Sequence, residues 1–185
     1  DSGAAMVLVT HDLDEAGALA HRIGILLPGE LGQLDAPERL FAQPASLQVS
    51  RFLGYRNEVP VAWSAEAAGW MHPALGVVAT PPPPRDGPGK AEGMAVFPPG
   101  SVDLALLTPG APRGRVVAVD HPGPRPRVRV AFPSSPAAVG QGGTLAGAGA
   151  SDVTLAIDTS HRPLPLPGEE VSIRAEPSRV LVFPT

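Results

Sequence analysis

Residues 127–132 read Arg-Val-Arg-Val-Ala-Phe, and this stretch decides how most of the chain folds. Successive side chains of a strand point to opposite faces. Val128, Val130 and Phe132 therefore share one face, while Arg127 and Arg129 share the other. The same period of two recurs at Val153, Leu155 and Ile157. It recurs again where Val171 and Ile173 alternate with Ser172 and Arg174. Such alternation predicts antiparallel strands with one buried and one solvated face.

Working outward, further short strand candidates lie between Pro and Gly. The full set is 61–63, 76–80, 94–97, 102–107, 115–119, 127–132, 153–157, 170–174 and 180–183. Strands this short, at this spacing, predict a small antiparallel barrel over residues 56–185. The segments 80–90 and 140–151, rich in Pro or Gly, read as loops. With 24 Pro and 21 Gly in 185 residues, tight turns are frequent, yet the apolar alternation persists.

Residues 1–55 differ in character and read as α/β. Residues 6–9 form a continuous apolar run, the signature of a strand buried on both faces. Asp12 then offers an N-cap, with Glu15 at capping-box spacing. The helix it opens is expected to reach about His21, with Leu13, Ala16 and Ala20 on one face. A second buried run at 23–27 is stopped by Pro28-Gly29, and a turn follows. Asp35 and Glu38 repeat the cap pattern, with Pro37 tolerated in the first turn. That helix carries Leu40 and Phe41 to about Gln43 and ends at Pro44. A third helix, 46–53, has Val49, Phe52 and Leu53 as its buried stripe, and Gly54 closes it.

Composition excludes several functions. The chain has no cysteine, which removes disulfides, thiolate metal sites and thiol nucleophiles. The net charge of -4 gives no electrostatic footprint for nucleic acid. Single-strand binding would need exposed strand aromatics, and Phe97, Phe132 and Phe183 fall in phase with apolar neighbours, leaving only Trp63. No apolar run reaches membrane-spanning length. The chain opens without an initiator Met and runs almost at once into a strand candidate, as expected of a piece of a longer protein.

His11 sits between the apolar run at 6–9 and the acidic helix start. Three roles are open to it. Paired with Glu15 it could ligate a metal, although the spacing straddles a strand-to-helix break. It could be a structural histidine at a strand end. It could also be catalytic, since ligands of open α/β sheets gather at the C-terminal strand edge. His72, His121 and His161 lie in Pro-rich turns without ligand spacing and read as surface residues. Arg113, Arg115, Arg125, Arg127 and Arg129 read as a solvated strand face rather than an anion-attracting or subunit-facing surface.

The motifs around His11 favour the catalytic role. Thr10-His11-Asp12, Glu15-Ala16, His21-Arg22-Ile23, Gly29 to Gln33, Pro37-Glu38, Phe41, Pro44 and Phe52-Leu53-Gly54-Tyr55-Arg56-Asn57 follow one another in order. Together they resemble the tail of the nucleotide-binding subunit of ATP-binding-cassette (ABC) importers. One departure is His21, where that family usually has Asp before the Arg. By this resemblance His11 is the switch histidine, which hydrogen-bonds the ATP γ-phosphate and helps hold the attacking water. Phosphoryl transfer depends mainly on such positioning and charge stabilisation. Asp12 and Glu15 are then helix caps, not acid-base groups.

The resemblance extends weakly into residues 56–185, which are similar to the accessory TOBE domain, an OB-type barrel. Residues 114–132 and 164–184 fit its strands, whereas Phe97-Pro98-Pro99 replaces the usual Arg-Pro-Glu. The implied fold class is α+β: an α/β remnant of a nucleotide-binding domain over 1–55, then an OB-like antiparallel β-barrel over 56–185. The resemblance implies that the intact subunit uses ATP and Mg²⁺. It also implies transmembrane permease subunits and a second ATPase subunit as partners, at the cytoplasmic face of the membrane.

The 185 residues contain no G-x-x-x-x-G-K-[ST] phosphate loop, and the single lysine, Lys90, lies in a Pro-Gly-Lys loop. This chain alone is therefore expected neither to bind nor to hydrolyse ATP. The barrel is expected to regulate or dimerise the subunit. The alternative is a molybdate- or sulfate-type oxyanion sensor, with Ser134, Ser135, Gly142, Gly143 and Thr144 as candidate ligands. Parted from the sheet they belong to, the runs at 7–9 and 23–27 are expected to expose apolar surface.

Overall fold

The computed structural model describes residues 3–80, 92–105, 107, 109–122, 125–133, 153–160 and 163–184. The chain divides into two compact units, 1–54 and 55–185.

In the first unit Asp12 caps α1 (Leu13–Leu19), its carboxylate accepting from the Asp14 and Glu15 amides. β1 (Ile23–Leu27) and β2 (Glu30–Asp35) form an antiparallel hairpin around Pro28-Gly29, with Gly29 at φ +84°. α2 (Pro37–Ala42) and α3 (Leu47–Phe52) follow, α3 capped by the Ser46 hydroxyl and closed by Gly54 at φ +81°. Ile23, Ile25, Leu40, Val49 and Leu53 are the buried apolar residues. Gln33 ties the unit together. Its side-chain amide donates to the Gln43 carbonyl at 3.2 Å, and its side-chain oxygen accepts from the Ala45 amide at 2.8 Å.

Several expectations for this unit need correction. The strand at 6–9 does not form, and Val7 and Val9 are 90% and 88% exposed. A strand persists only in a ladder, and no described strand pairs with these residues. The apolar exposure expected there is present. The run at 23–27 is buried on one face only, with Ile23 and Ile25 inside and Leu26 outside. The segment after Pro28-Gly29, expected as a turn, is strand β2, because β1 has no other partner among the described strands. Ala36, not Asp35, is the N-cap of α2; Asp35 instead accepts from the Ala36 amide and pairs with Arg39 at 3.3 Å. Phe52 is half exposed, its place in the buried stripe taken by Ser50.

The second unit holds two five-stranded antiparallel sheets. The first contains β3 (Asn57–Ser64), β4 (Gly69–His72), β5 (Gly76–Ala79), β6 (Glu92–Phe97) and β12 (Leu181–Pro184), in the order β12-β6-β3-β4-β5. The second contains β7 (Val102–Ala105), β8 (Arg113–Asp120), β9 (Arg127–Phe132), β10 (Val153–Asp158) and β11 (Glu170–Ala175), in the order β10-β9-β8-β11-β7. One apolar cluster joins them, with Val59, Trp70 and Phe97 from the first sheet and Val128, Val130, Phe132 and Ile157 from the second.

The alternation at 127–132 is realised as read: Val128, Val130 and Phe132 are fully buried, and Arg129 is exposed. β9 pairs residue for residue with β10, Phe132 opposite Val153 and Arg127 opposite Asp158. The antiparallel, β-rich architecture agrees with the sequence. No closed barrel ladder forms among the described strands, where β7 and β10 stand at opposite edges of their sheet. β4 escaped the sequence reading because Gly-Trp-Met-His is short and follows an Ala- and Glu-rich turn without alternation.

Candidate functional site

The site is built around the start of α1. The Asp12 carboxylate accepts the Asp14 and Glu15 amides at 2.9 and 3.0 Å, satisfying two donors the first helical turn leaves free. The Asp12 amide donates to Thr10 Oγ1 at 3.1 Å, so Thr10 takes the donor that a full capping box would give to Glu15. Asp12 is thus a cap with both lone-pair directions of one oxygen engaged. His11 lies between these groups, exposed to solvent.

His21 is also exposed, and Arg22 beside it donates to the Leu34 carbonyl at 3.5 Å. Among the described residues no group of three or more His, Cys, Asp or Glu could hold a metal ion. An ATP site needs a cradle of backbone amides and a cation for the β- and γ-phosphates. One exposed imidazole beside a capped helix does not supply that cradle, so the described residues do not by themselves fit ATP.

In the second unit Ser134, Ser135, Gly142, Gly143 and Thr144 lie outside the described residues, as do His161 and Lys90. The arginine face is largely neutralised. Arg127 holds Asp158 through two hydrogen bonds of 2.7 and 3.1 Å, Arg129 holds Asp120 at 3.0 Å, and Arg115 approaches Glu170 at 3.9 Å. The bond to Asp158 holds the Arg127 pKa above its ordinary value. Arg113 and Arg125 are exposed. Trp63 packs edge-on against Trp70 with ring centroids 5.7 Å apart, and Phe97 and Phe132 are buried.

His72 contradicts its reading as a surface residue: it is 5% exposed. Its Nδ1 accepts from the Ala74 amide at 3.2 Å, closing the turn between β4 and β5, and burial lowers its pKa. The Pro-rich turn suggested exposure, but the unpredicted strand β4 carries the ring into the interior. Asn57 joins β3 to β10 through the Ala156 backbone, a role for which the sequence around it carries no local signal.

No helix among the described residues is long and apolar enough to cross a membrane. No family model matches the chain. Individual proteins do. The spermidine/putrescine import ATP-binding protein PotA of Chromobacterium violaceum is 49% identical over 55 residues, 30% of this chain and 15% of that protein. The Fe(3+) ions import ATP-binding protein FbpC of Serratia marcescens is 34% identical over 113 residues, 61% of this chain and 30% of that protein. The sulfate/thiosulfate import ATP-binding protein CysA of Xanthomonas campestris is 46% identical over 59 residues, 32% of this chain and 17% of that protein. The chain spans 15% to 30% of the length of the relatives named here. The homologues of this chain are thus ATP-binding subunits of ABC importers, matching it over part of its length, and the chain is consistent with a C-terminal fragment of such a subunit.

Proposed function

We propose that this chain is the C-terminal portion of the ATP-hydrolysing subunit of an ABC importer, with 1–55 ending its nucleotide-binding domain and 56–185 forming a TOBE-type accessory domain. The observation that carries this reading is the 113-residue match to the iron importer subunit. That match is longer than the whole first unit, so it extends into the second. In the intact subunit His11 contacts the ATP γ-phosphate; its solvent exposure leaves the imidazole accessible for that task. ATP and Mg²⁺ are cofactors of the intact subunit only, and the chain alone is not an ATPase. Permease subunits and a second ATPase subunit are its partners at the cytoplasmic face of the membrane. The second unit acts in regulation or dimerisation. Its OB-like character is supported by the Thr159 hydroxyl, which follows β10 and donates to Asp103 of β7 at 3.1 Å, linking the two edges of one sheet.

A chimera tests this reading. The chain replaces the corresponding C-terminal region of the Serratia iron importer subunit, and ATP hydrolysis is measured with and without His11→Ala. An active chimera that loses roughly 100-fold in turnover on His11→Ala is the expected result, the size of losing one positioned transition-state donor. Unchanged turnover in the variant would remove His11 from the reaction. Calorimetry of the chain with molybdate, tungstate and sulfate separates the roles of the second unit. Saturable heat with one oxyanion would replace the regulatory role with a sensor role.

A further inference from the structure

His11 has no side-chain contact to aim it. Among the described residues its imidazole makes no hydrogen bond or ion pair, and it is exposed. Its direction is therefore set by its backbone. The chain before it gives that backbone no support, because no described strand pairs with residues 6–9. The helix after it, α1, buries none of its own residues.

The two side chains flanking His11 supply the hold. Thr10 reaches across His11, and its Oγ1 accepts the Asp12 amide at 3.1 Å. A hydroxyl bonded to the amide two residues on mimics a backbone turn. His11 is the central residue of that turn, and the chain bends there. Thr10 is β-branched, so few rotamers are open to its hydroxyl. On the other side the Asp12 carboxylate accepts the Asp14 and Glu15 amides, and its carbonyl accepts the Ala16 amide at 3.1 Å. The turn and the start of α1 thus form one hydrogen-bonded piece. The Asp12 carboxylate already caps the helix, so the Thr10 bond does something further: it fixes both peptide planes around His11.

We infer that Thr10 is a positioning residue for His11, its hydroxyl holding the backbone turn that sets the direction of the imidazole. The inference rests on the reading of His11 as the γ-phosphate contact. A donor that stabilises developing charge loses rate, not substrate affinity, when its aim is lost.

Two measurements test it. In the 185-residue chain, NMR reads the His11 φ through its HN–Hα coupling. The parent and Thr10→Ser should show the coupling of a single φ. Thr10→Val keeps the shape but loses the acceptor, and should show the averaged coupling of a free peptide. Thr10 is exposed, so neither substitution disturbs the core. In the importer chimera, Thr10→Val should lower kcat about threefold to tenfold, the size of one hydrogen bond, with the KM for ATP unchanged. Thr10→Ser should recover most of that loss. In the His11→Ala background Thr10→Val should lower kcat no further, whereas a residue that only steadies the helix would still lower it. Parental kcat in Thr10→Val, in a chimera that His11→Ala inactivates, overturns this inference alone. Unchanged turnover in His11→Ala overturns the reading of His11 as well. An additive loss in the double variant makes Thr10 a structural residue and overturns the inference. A parental coupling in Thr10→Val, or an averaged one in the parent, overturns it whether or not the chimera hydrolyses ATP.

Discussion

The side chain of Asn57 grips the backbone of Ala156: its amide nitrogen donates to the Ala156 carbonyl, and its oxygen accepts from the Ala156 amide, both at 2.8 Å. Asn57 opens β3 in one sheet and Ala156 lies in β10, an edge strand of the other. One amide thus replaces the ladder partner that β10 lacks and ties the two sheets together. Asn57→Ala leaves a partly buried donor and acceptor unmade and should cost about 1–3 kcal/mol in urea unfolding. Asn57→Asp keeps the shape but removes the donor, and should not rescue. Parental midpoints in both variants would show that water replaces the staple.

Gly114 is required for a different reason. A Cβ at this position would run into Val130, and would come within 2.8 Å of Phe132 and 2.9 Å of the Ala131 carbonyl. Val130 and Phe132 are fully buried core residues that have little room to move. Gly114→Ala should therefore destabilise the second unit by about 1–3 kcal/mol, as overpacking does. An unchanged melting temperature would mean that β8 and β9 shift apart freely.

His72 makes stability pH-dependent. Burial lowers its pKa below the ordinary 6.5. Between 6.5 and the lower folded value, the unfolded chain binds the proton and the folded chain does not. Stability contributed by neutral His72 is therefore present above 6.5 and is lost as pH falls toward the folded pKa. Protonation would also convert Nδ1 from the acceptor of the Ala74 amide into a donor. His72→Asn removes this titration and keeps an acceptor. Unfolding measured from about pH 7 to about pH 5 should show a shallower fall in the variant. Identical slopes would place the acid sensitivity elsewhere.

The β1–β2 hairpin has an uncovered leucine face. Leu26 lies opposite Leu31 and Gly24 opposite Leu34, and these three leucines are 70%, 54% and 43% exposed. Leu31 and Leu34 both close over the position of the missing Gly24 side chain. This face, with residues 6–9, should bind an environment-sensitive dye and promote self-association. Leu26→Lys combined with Leu31→Glu should lower dye fluorescence and light scattering, with a stability change within about 0.5 kcal/mol. Dye binding that survives this pair but disappears with Val7→Ser and Val9→Ser would assign the surface to 6–9 alone.

Much of this protein was legible in the chain itself. The period-two alternation at 127–132 fixed which side of β9 is buried, because strand geometry leaves a side chain only two directions. Pro28-Gly29, Asp12 and Gly54 marked a turn, a cap and a helix end through their own backbone and hydrogen-bonding chemistry. The ordered motifs from Thr10 to Asn57 carry the likeness to importer ATP-binding subunits within the chain itself. Other features depended on partners that no local window contains. Residues 6–9 have full strand character and no ladder. His72 looks like a turn residue and is buried by a neighbouring strand. Asn57 meets a strand 99 residues away, and β11 inserts between β8 and β7. Propensity and alternation are local properties that sequence determines directly. Pairing and burial depend on which apolar faces meet, and only the packed tertiary structure decides that.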